Sequence, residues 1–208
     1  GTAWSNVERA MAGLREAKAL SPSVLSALPV EELEKLIRPA GFFTRKARTL
    51  KRVVAAAREA VETAPASAGP IETAPASGSI ETEPASEPID AAFDAFLRLP
   101  AAGLRGALLA VDGVGPETAD SILLYAAGRP SFPVDTYARR VLGRHGAIEE
   151  GAAYESVSDA VVRALDREPA ALNEFHALIV RVGKDFCGTE ERCRGCPLDG
   201  ISRALSRD

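Results

Sequence analysis

The sequence lacks any hydrophobic run that approaches the roughly 20 residues of a membrane-spanning helix, although 46% of its 208 residues are hydrophobic. It also has only three cysteines, all between positions 187 and 196. An odd number of cysteines in so short a stretch does not fit the disulfide framework of a secreted protein. Because no signal peptide is visible either, we expect a soluble, cytoplasmic protein with enough apolar residues to form a core.

Basic residues are lacking from residues 62–90, which carry six acidic residues and no lysine or arginine. The chain has a formal charge of −4, so the remainder without these acids carries +2. The segment repeats a unit of nine or ten residues as ETAPASAGPI, ETAPASGSI and ETEPASEPI. A repeat of this composition cannot bury enough apolar surface to offset its ordering entropy. We predict that residues 62–89 form a disordered insert in a mildly basic folded body.

Strand-like alternation is lacking too, and outside the insert apolar residues recur at helical spacing. Val7, Met11 and Leu14 follow this spacing in a helix predicted over residues 4–20, and Pro22 and Pro29 mark the starts of the next two helices. Further helices are predicted over residues 47–61, 91–97, 101–110, 136–145, 154–165 and 170–182, and from a glycine turn to residue 127. The predicted fold class is all-α.

The glycine turn lies in the stretch LLAVDGVGPETADSILLYA, residues 108–126, between two of these helices. Gly113 and Gly115 allow positive φ angles and close approach of another backbone. The free N–H groups of the turn and of the following helix could hold an anion such as a DNA phosphate. An ordinary helix–turn–helix corner is the alternative interpretation.

Two further segments carry chemically active side chains. PVDTYARRVLGRHG has Asp135 at the predicted start of a helix, about twenty residues after the glycine turn. Aspartate is a favoured N-cap residue, so helix capping alone would account for it. DFCGTEERCRGCPL holds all three cysteines and indicates a metal or cluster site.

In this order, over about the last 110 residues, the three segments resemble the helix-hairpin-helix (HhH-GPD) DNA glycosylases of the endonuclease III superfamily. The resemblance implies two helical lobes with a DNA cleft between them. Residues 1–61 and 90–132 would form a helical barrel lobe, and residues 133–208 a C-terminal lobe. The expected partner is double-stranded DNA with a damaged base, bound by a monomer that contacts no membrane and, in a prokaryote, is associated with the nucleoid.

The resemblance also implies roles for individual residues. Gly113, Val114, Gly115 and Thr118 would grip the DNA strand, and Asp135 would act beside the flipped nucleotide. Endonuclease III itself has a lysine at the position of Glu117, and its amine forms a Schiff base with the sugar and so allows strand cleavage. Glutamate cannot form a Schiff base, which implies a monofunctional enzyme.

Within the superfamily, the chain most resembles the 3-methyladenine DNA glycosylases of the endonuclease III type. The hairpin and the segment IRPAGFFTRKARTLKRV, residues 37–53, carry this closer resemblance. It implies hydrolytic removal of damaged, alkylated purines. An endonuclease III-like glycosylase for oxidised pyrimidines and a non-catalytic DNA-binding relative, in which Asp135 only caps its helix, are the alternatives.

Three aromatic residues acquire expected roles from this resemblance. Trp4 falls where the alkylpurine branch carries a pocket aromatic, whose π face would suit a cationic base. Phe42 falls where the family has an apolar wedge near the gap left by the flipped base, and Tyr137 would fill or border that gap. Packing inside the protein is the alternative for each of them.

Seven basic residues without an intervening acid extend over about twenty residues: Arg38, Arg45, Lys46, Arg48, Lys51, Arg52 and Arg58. Such runs are often solvated helix faces. Next to a hairpin that grips DNA they indicate phosphate contacts, which we predict for Arg45 and Lys46.

Finally, the resemblance implies a [4Fe–4S] cluster held by four cysteines. This chain supplies Cys187, Cys193 and Cys196, and Ser202 stands at the fourth place with the family's spacing from Cys196. Asp199 is the nearest other oxygen ligand. We expect a cluster with Ser202 as the fourth ligand; a zinc site, or loss of the metal as in some members of the alkylpurine branch, are the alternatives.

Overall fold

The structure, a computed structural model, describes residues 4–63 and 88–201, with side chains over residues 5–60 and 88–201. Most of the predicted insert, the side chain of Trp4 and all of Ser202 lie outside this part of the chain. Helices include Thr63 on one side of the insert and Pro88 on the other. Each end therefore differs by two residues from the predicted range of 62–89.

The described residues of a first compact unit, Gly1–Gly115, fold into six α-helices. They are α1 (Trp4–Glu16), α2 (Pro22–Ala27), α3 (Val30–Ile37), α4 (Phe43–Thr63), α5 (Pro88–Leu97) and α6 (Ala101–Leu109). Pro22 is well suited to the first turn of α2 because the N–H that it lacks would have no partner there. Ser21 completes this start, since its hydroxyl accepts a hydrogen bond from the Val24 N–H.

The helix α4 is the element against which much of the first unit packs, because it contacts α2, α3, α5 and α6. It begins at Phe43, earlier than the predicted start at residue 47. A 3₁₀ turn (Arg38–Ala40) and Gly41, with φ of +66°, redirect the chain just before it. Leu33, Phe96 and Leu104 are fully buried in this unit.

The described residues of the second compact unit, Pro116–Asp208, contain α7 (Pro116–Ser121), α8 (Thr136–Arg144), α9 (Tyr154–Ala164) and α10 (Pro169–Asp185). A π-helical turn, Ile122–Ala126, continues α7. Phe132, Val157 and Leu172 lie in the centre of its core. No strand forms in the described ranges, where an isolated bridge joins Cys187 to Glu191, and the predicted all-α class is confirmed. None of the helices seen over these ranges has both the length and the apolar character needed to cross a membrane.

In the sequence the boundary between the two units lies between Gly115 and Pro116, whereas the predicted first lobe extended to residue 132. The difference lies in residues 116–132, which follow the glycine turn. Leu124 and Phe132 from this segment belong to the same buried cluster as Leu172 of α10. The segment therefore packs with the second unit.

Candidate functional site

Asp135 lies at the N-terminus of α8 in the second unit. Its Oδ1 accepts a hydrogen bond from the backbone N–H of Ala138 at 2.7 Å, which is the geometry of an N-cap. Its Oδ2 lies 3.8 Å from Nε2 of His176 on α10. Because the side chain is only 17% exposed, this carboxylate is largely shielded from solvent. The helix cap uses one of its two oxygens and leaves the other without a role in the cap.

His176 faces Asp135 from α10 and is held by aromatic neighbours. Its Nδ1 is hydrogen-bonded to the hydroxyl of Tyr125 at 2.5 Å, and its ring meets that of Phe132 edge-on with the centroids 5.5 Å apart. Burial, the largest influence, lowers the pKa of His176, while the Asp135 carboxylate and the Pro133 backbone raise it. The net effect on the pKa is a lowering, so the imidazole is neutral at neutral pH.

Glu117 lies in the first turn of α7, near enough to Asp135 to be influenced by its charge. Partial burial raises the pKa of the Glu117 carboxyl, and the negative charge of Asp135 raises it further. Mutual repulsion of this kind is typical of carboxyl groups that share a site. The two acids therefore belong to one electrostatic site within the second unit.

The glycine turn ends the first unit, and its geometry requires glycine at position 113. Gly113 has a φ of +93°, and a Cβ atom there would lie 2.3 Å from Oγ1 of Thr49 on α4. Arg52, farther along α4, forms an ion pair with Asp112 and also donates to the Asp112 carbonyl at 3.2 Å. The helix α4 thus fixes the shape of the turn.

The other predicted DNA-binding residues differ in their exposure and in whether their side chains are already hydrogen-bonded within the protein. Gly115 and Thr118 are exposed, whereas Val114 is buried and anchors the turn. Arg45 is exposed at the start of α4. Lys46 is exposed as well, but its ammonium group donates to a carbonyl of the preceding 3₁₀ turn at 2.7 Å. Arg45 is therefore more available for a phosphate than Lys46.

Phe42 combines high exposure with an uncommon backbone conformation. The residue is 78% exposed and its φ is +47°. Bulky residues seldom adopt positive φ, and such strain occurs preferentially at functional sites. A cavity of about 450 Å³ is lined by Phe42, Phe43, Thr44, Arg45, Arg48, Arg52 and Asp112. Aromatic rings beside guanidinium groups suit a ligand with bases and phosphates.

Helix packing accounts for Tyr137, which was predicted to fill or border the gap in the DNA. A Cβ atom at Gly183 of α10 would lie 2.5 Å from Cδ1 of the tyrosine, so the ring lies directly on the α10 backbone. The guanidinium of Arg140 lies 5.7 Å from the ring centroid.

The predicted pocket role of Trp4 concerns a side chain outside the described part of the protein and stays a prediction.

The three cysteines are not gathered around a common point. Cys187 is buried, and its Sγ accepts a hydrogen bond from Arg144 at 3.1 Å, whereas Cys193 is exposed and Cys196 accepts a bond from a backbone N–H at 3.4 Å. Over residues 4–63 and 88–201, no three His, Cys, Asp or Glu side chains are arranged to hold a metal ion. Ser202 lies beyond this range. The described donors by themselves do not form a four-ligand cluster site.

Arginine contacts hold the cysteine loop to α8. Arg144 donates to the carbonyls of Gly188 at 2.8 Å and Thr189 at 3.0 Å, and it forms an ion pair with Glu191 at 3.3 Å. The loop therefore has an anchor that requires no metal.

Sequence reasoning missed two members of the site around Asp135, namely Tyr125 and His176. The signals available were the rarity of histidine, which occurs twice in the chain, and a tyrosine at the end of the hairpin helix. Neither signal indicates a contact across about fifty residues of sequence.

Comparison with known families identifies the chain. The model of the HhH-GPD superfamily of base excision DNA repair proteins matches residues 2–166. The chain belongs to this family. A protein of Methanocaldococcus jannaschii named for an inferred DNA repair glycosylase activity is 36% identical over 197 residues, which cover 95% of this chain and 77% of that protein. Endonuclease III of Sulfolobus acidocaldarius is 31% identical over 96 residues, 46% of this chain and 42% of that enzyme.

Solved structures share the fold of this HhH-GPD protein. A non-covalent complex of endonuclease III with DNA matches with a TM-score of 0.66 and 23% identity, over 96% of this chain and 75% of the enzyme. A trapped covalent endonuclease III–DNA intermediate matches with the same TM-score and identity. The protein is a base excision DNA repair glycosylase, and the family resemblance inferred from its motifs is confirmed.

Proposed function

We propose that this HhH-GPD glycosylase is monofunctional, so that it hydrolyses the N-glycosidic bond and does not cleave the strand. The observation that carries the proposal is Glu117, a carboxyl group in the electrostatic environment of Asp135 at the position where a lyase needs an amine. A carboxyl group cannot form the Schiff base through which strand cleavage proceeds. The product would be an unbroken strand with an abasic site.

In this mechanism Asp135 carries the chemistry. As the bond between C1′ and the base nitrogen breaks, positive charge develops on the sugar, and the ionised carboxylate stabilises it. The Ala138 N–H holds Oδ1 and so fixes the orientation of the carboxylate, while Oδ2 is left for the sugar or the attacking water. Water then adds to C1′, and Asp135 accepts the proton that the water loses.

We propose purines alkylated on a ring nitrogen as the substrates. Such a base is cationic and already a good leaving group, so it needs no acid to protonate it. Two neighbouring carboxyl groups, Asp135 and Glu117, favour a positively charged reactant over a neutral one. In the first unit, the exposed ring of Phe42 is the kind of apolar side chain that enters a duplex when a nucleotide is flipped out.

Two other functions each have one observation in their favour. The likeness to an Endonuclease III at 31% identity favours a glycosylase for oxidised pyrimidines. The hydrogen bond from Ala138 to Asp135 would be sufficient reason for the aspartate in a relative that binds DNA without catalysis. Base release from a set of lesions distinguishes these functions from the proposed one.

The test is a panel of duplexes, each with one N-alkylated purine, one oxidised pyrimidine or no lesion, scored for base release with and without alkali. We expect release from the alkylated purine and strand breaks only after alkali. Asp135→Asn keeps an oxygen for the Ala138 N–H, so its stability and DNA affinity should persist while base release falls by at least about a hundredfold. Near-normal turnover by this variant would show that Asp135 is not catalytic.

Position 117 has its own matched pair of variants. Borohydride should trap no covalent adduct of the wild type, and Glu117→Gln, which removes the charge and adds no amine that can attack, should trap none either. Glu117→Lys supplies the amine, so trapping by this variant alone would show that position 117 reaches C1′. Efficient trapping and strand cleavage by the wild type would refute the monofunctional proposal.

A [4Fe–4S] cluster on Cys187, Cys193, Cys196 and Ser202 is proposed as a structural cofactor only, since hydrolysis transfers no electrons. The spacing of three cysteines within ten residues supports it. The arrangement of the described donors does not. Iron and sulfide analysis of the purified protein decides whether this loop holds a cluster.

A further inference from the structure

The two oxygens of the Asp135 carboxylate have different surroundings, and one of them faces a ring nitrogen without a hydrogen-bond partner. Oδ1 is bonded to the Ala138 N–H at 2.7 Å. Oδ2 faces Nε2 of His176 at 3.8 Å, which is longer than the roughly 3.2 Å limit of an N–H···O hydrogen bond. Nε2 is buried and has no hydrogen-bond partner among the described residues. A buried polar nitrogen without a partner is costly, so a hydrogen bond at Nε2 would be favourable.

The other side of the imidazole determines which nitrogen carries the proton. Tyr125 and His176 share a hydrogen bond between the phenol hydroxyl and Nδ1, and the hydroxyl can donate to Nδ1 when the ring proton lies on the other nitrogen. A neutral imidazole has one donor and one acceptor nitrogen. In the tautomer in which Nδ1 accepts from Tyr125, the proton lies on Nε2, which is the nitrogen that faces Asp135.

The ring is also confined from its flanks. It meets Phe132 edge-on at 77° with 5.5 Å between centroids, and Tyr125 at 61° with 5.9 Å. His176 is only 8% exposed. Movement of about 1 Å, or a single water, would connect Nε2–H to Oδ2, while a large rotation of the ring would break the bond to Tyr125.

We propose that His176 is a positioning residue for Asp135: Tyr125 holds its Nδ1, and its Nε2–H supplies the hydrogen bond that aligns Oδ2 with the reacting sugar. This inference rests on the proposed catalytic role of Asp135. The groups of the second unit that interact electrostatically with Asp135 come from separate elements, Glu117 from α7, Tyr125 from the π-helical turn and His176 from α10. Of these three, His176 is neutral and directs an N–H at the carboxylate, so its bond favours the ionised form without adding a charge.

The first test measures the tautomer and does not depend on activity. Nitrogen-15 NMR of the two histidines of the full chain, assigned with His176→Gln, should show His176 neutral at pH 7 with its proton on Nε2. Tyr125→Phe removes the donor to Nδ1, so the preference for this tautomer should weaken. A proton on Nδ1 in the wild type would overturn the proposal.

The second test is the pH profile of single-turnover base release from a duplex with one N-alkylated purine. His176→Phe removes the N–H, so the rate of base release should fall roughly tenfold. The acid limb of the pH profile should move up by about one pH unit. Both changes correspond to the loss of about one hydrogen bond to a charged group. DNA affinity should stay unchanged. His176→Gln, whose amide N–H can replace Nε2–H, should recover most of the rate, and His145→Gln is the matched control on the other histidine.

The outcomes separate this inference from the proposed function. If the wild type releases no base from any duplex, the proposed function fails, and the tautomer measurement still decides whether the Tyr125–His176–Asp135 arrangement exists. If His176→Phe loses rate without a shift of the acid limb, and the loss follows its unfolded fraction by circular dichroism, the residue is structural and the proposal is overturned. A shifted limb together with rescue by glutamine supports it.

Discussion

Gly113→Ala is the sharpest test of how the first unit shapes the glycine turn. The residue has φ of +93°, and the added Cβ would lie 2.3 Å from Oγ1 of Thr49 on α4. Gly115, two residues later in the same turn, has no heavy atom within 4 Å of an ideal Cβ and does not have a positive φ. Gly115→Ala is therefore a matched control of identical chemistry.

The expected cost of Gly113→Ala has two parts. A left-handed backbone costs a non-glycine residue about 1–2 kcal/mol. The contact with Thr49 adds about 1–2 kcal/mol, the lower part of the range for overpacking, because rotation about χ1 can move Oγ1 away while Cβ at 3.4 Å remains. The free energy of unfolding should fall by about 2–4 kcal/mol in total. Gly115→Ala should change it by less than about 1 kcal/mol.

Denaturant unfolding measures both changes, followed by circular dichroism and by the fluorescence of Trp4, the only tryptophan, which begins α1 of the same unit. The background variant Thr49→Ala removes Oγ1 and Cγ2, so in this background the contact cost should disappear and the backbone cost should remain. Gly113→Ala and Gly115→Ala of equal stability would refute this account of the turn. A DNA-binding titration of Gly115→Ala separately shows whether the exposed backbone of the turn contacts the strand.

Two further predictions concern segments at the margins of the described structure. Replacing residues 64–87 by a short Gly/Ser linker should leave the free energy of unfolding within about 1 kcal/mol of wild type, because loop-closure entropy depends weakly on length and Ser23 anchors α5 through two 2.8 Å bonds to Asp90. DNA affinity at low salt should rise modestly as acids are lost, and a large loss of stability would mean that the repeats pack on the body. If the proposed cluster forms, protein purified without air should contain about four irons and four sulfides, and Ser202→Cys should slow their loss in air. Zinc, or no metal, by elemental analysis of such protein would refute the cluster.

The fold class was predictable from sequence because helix signals are local. Apolar spacing and proline at helix starts depend on residues within one or two turns, and these signals indicated the helices correctly. Boundaries that depend on tertiary packing were less accessible. The early start of α4 follows from the turn at Gly41, and residues 116–132 pack with the second unit because Phe132 enters its core.

The candidate site was predictable only where a residue carries a family motif. Asp135 and Glu117 stand in recognisable segments, and the sequence indicated both. Tyr125 and His176 meet across about fifty residues through a contact that exists only when the π-helical turn and α10 pack together. No periodicity or spacing encodes such a contact, so it becomes apparent only in the folded chain.

Asp135 also shows why capping and catalysis need not be rival interpretations of one aspartate. A cap requires one acceptor, and Oδ1 supplies it to Ala138. The proposed reaction requires a second, oriented oxygen with a negative charge, and the cap contributes to that orientation. Because the two tasks fall on different oxygens, an Asn variant should retain the first and lose the second. A helix N-terminus is a favourable place for such a group, since its partial positive charge stabilises the carboxylate until the sugar develops charge of its own.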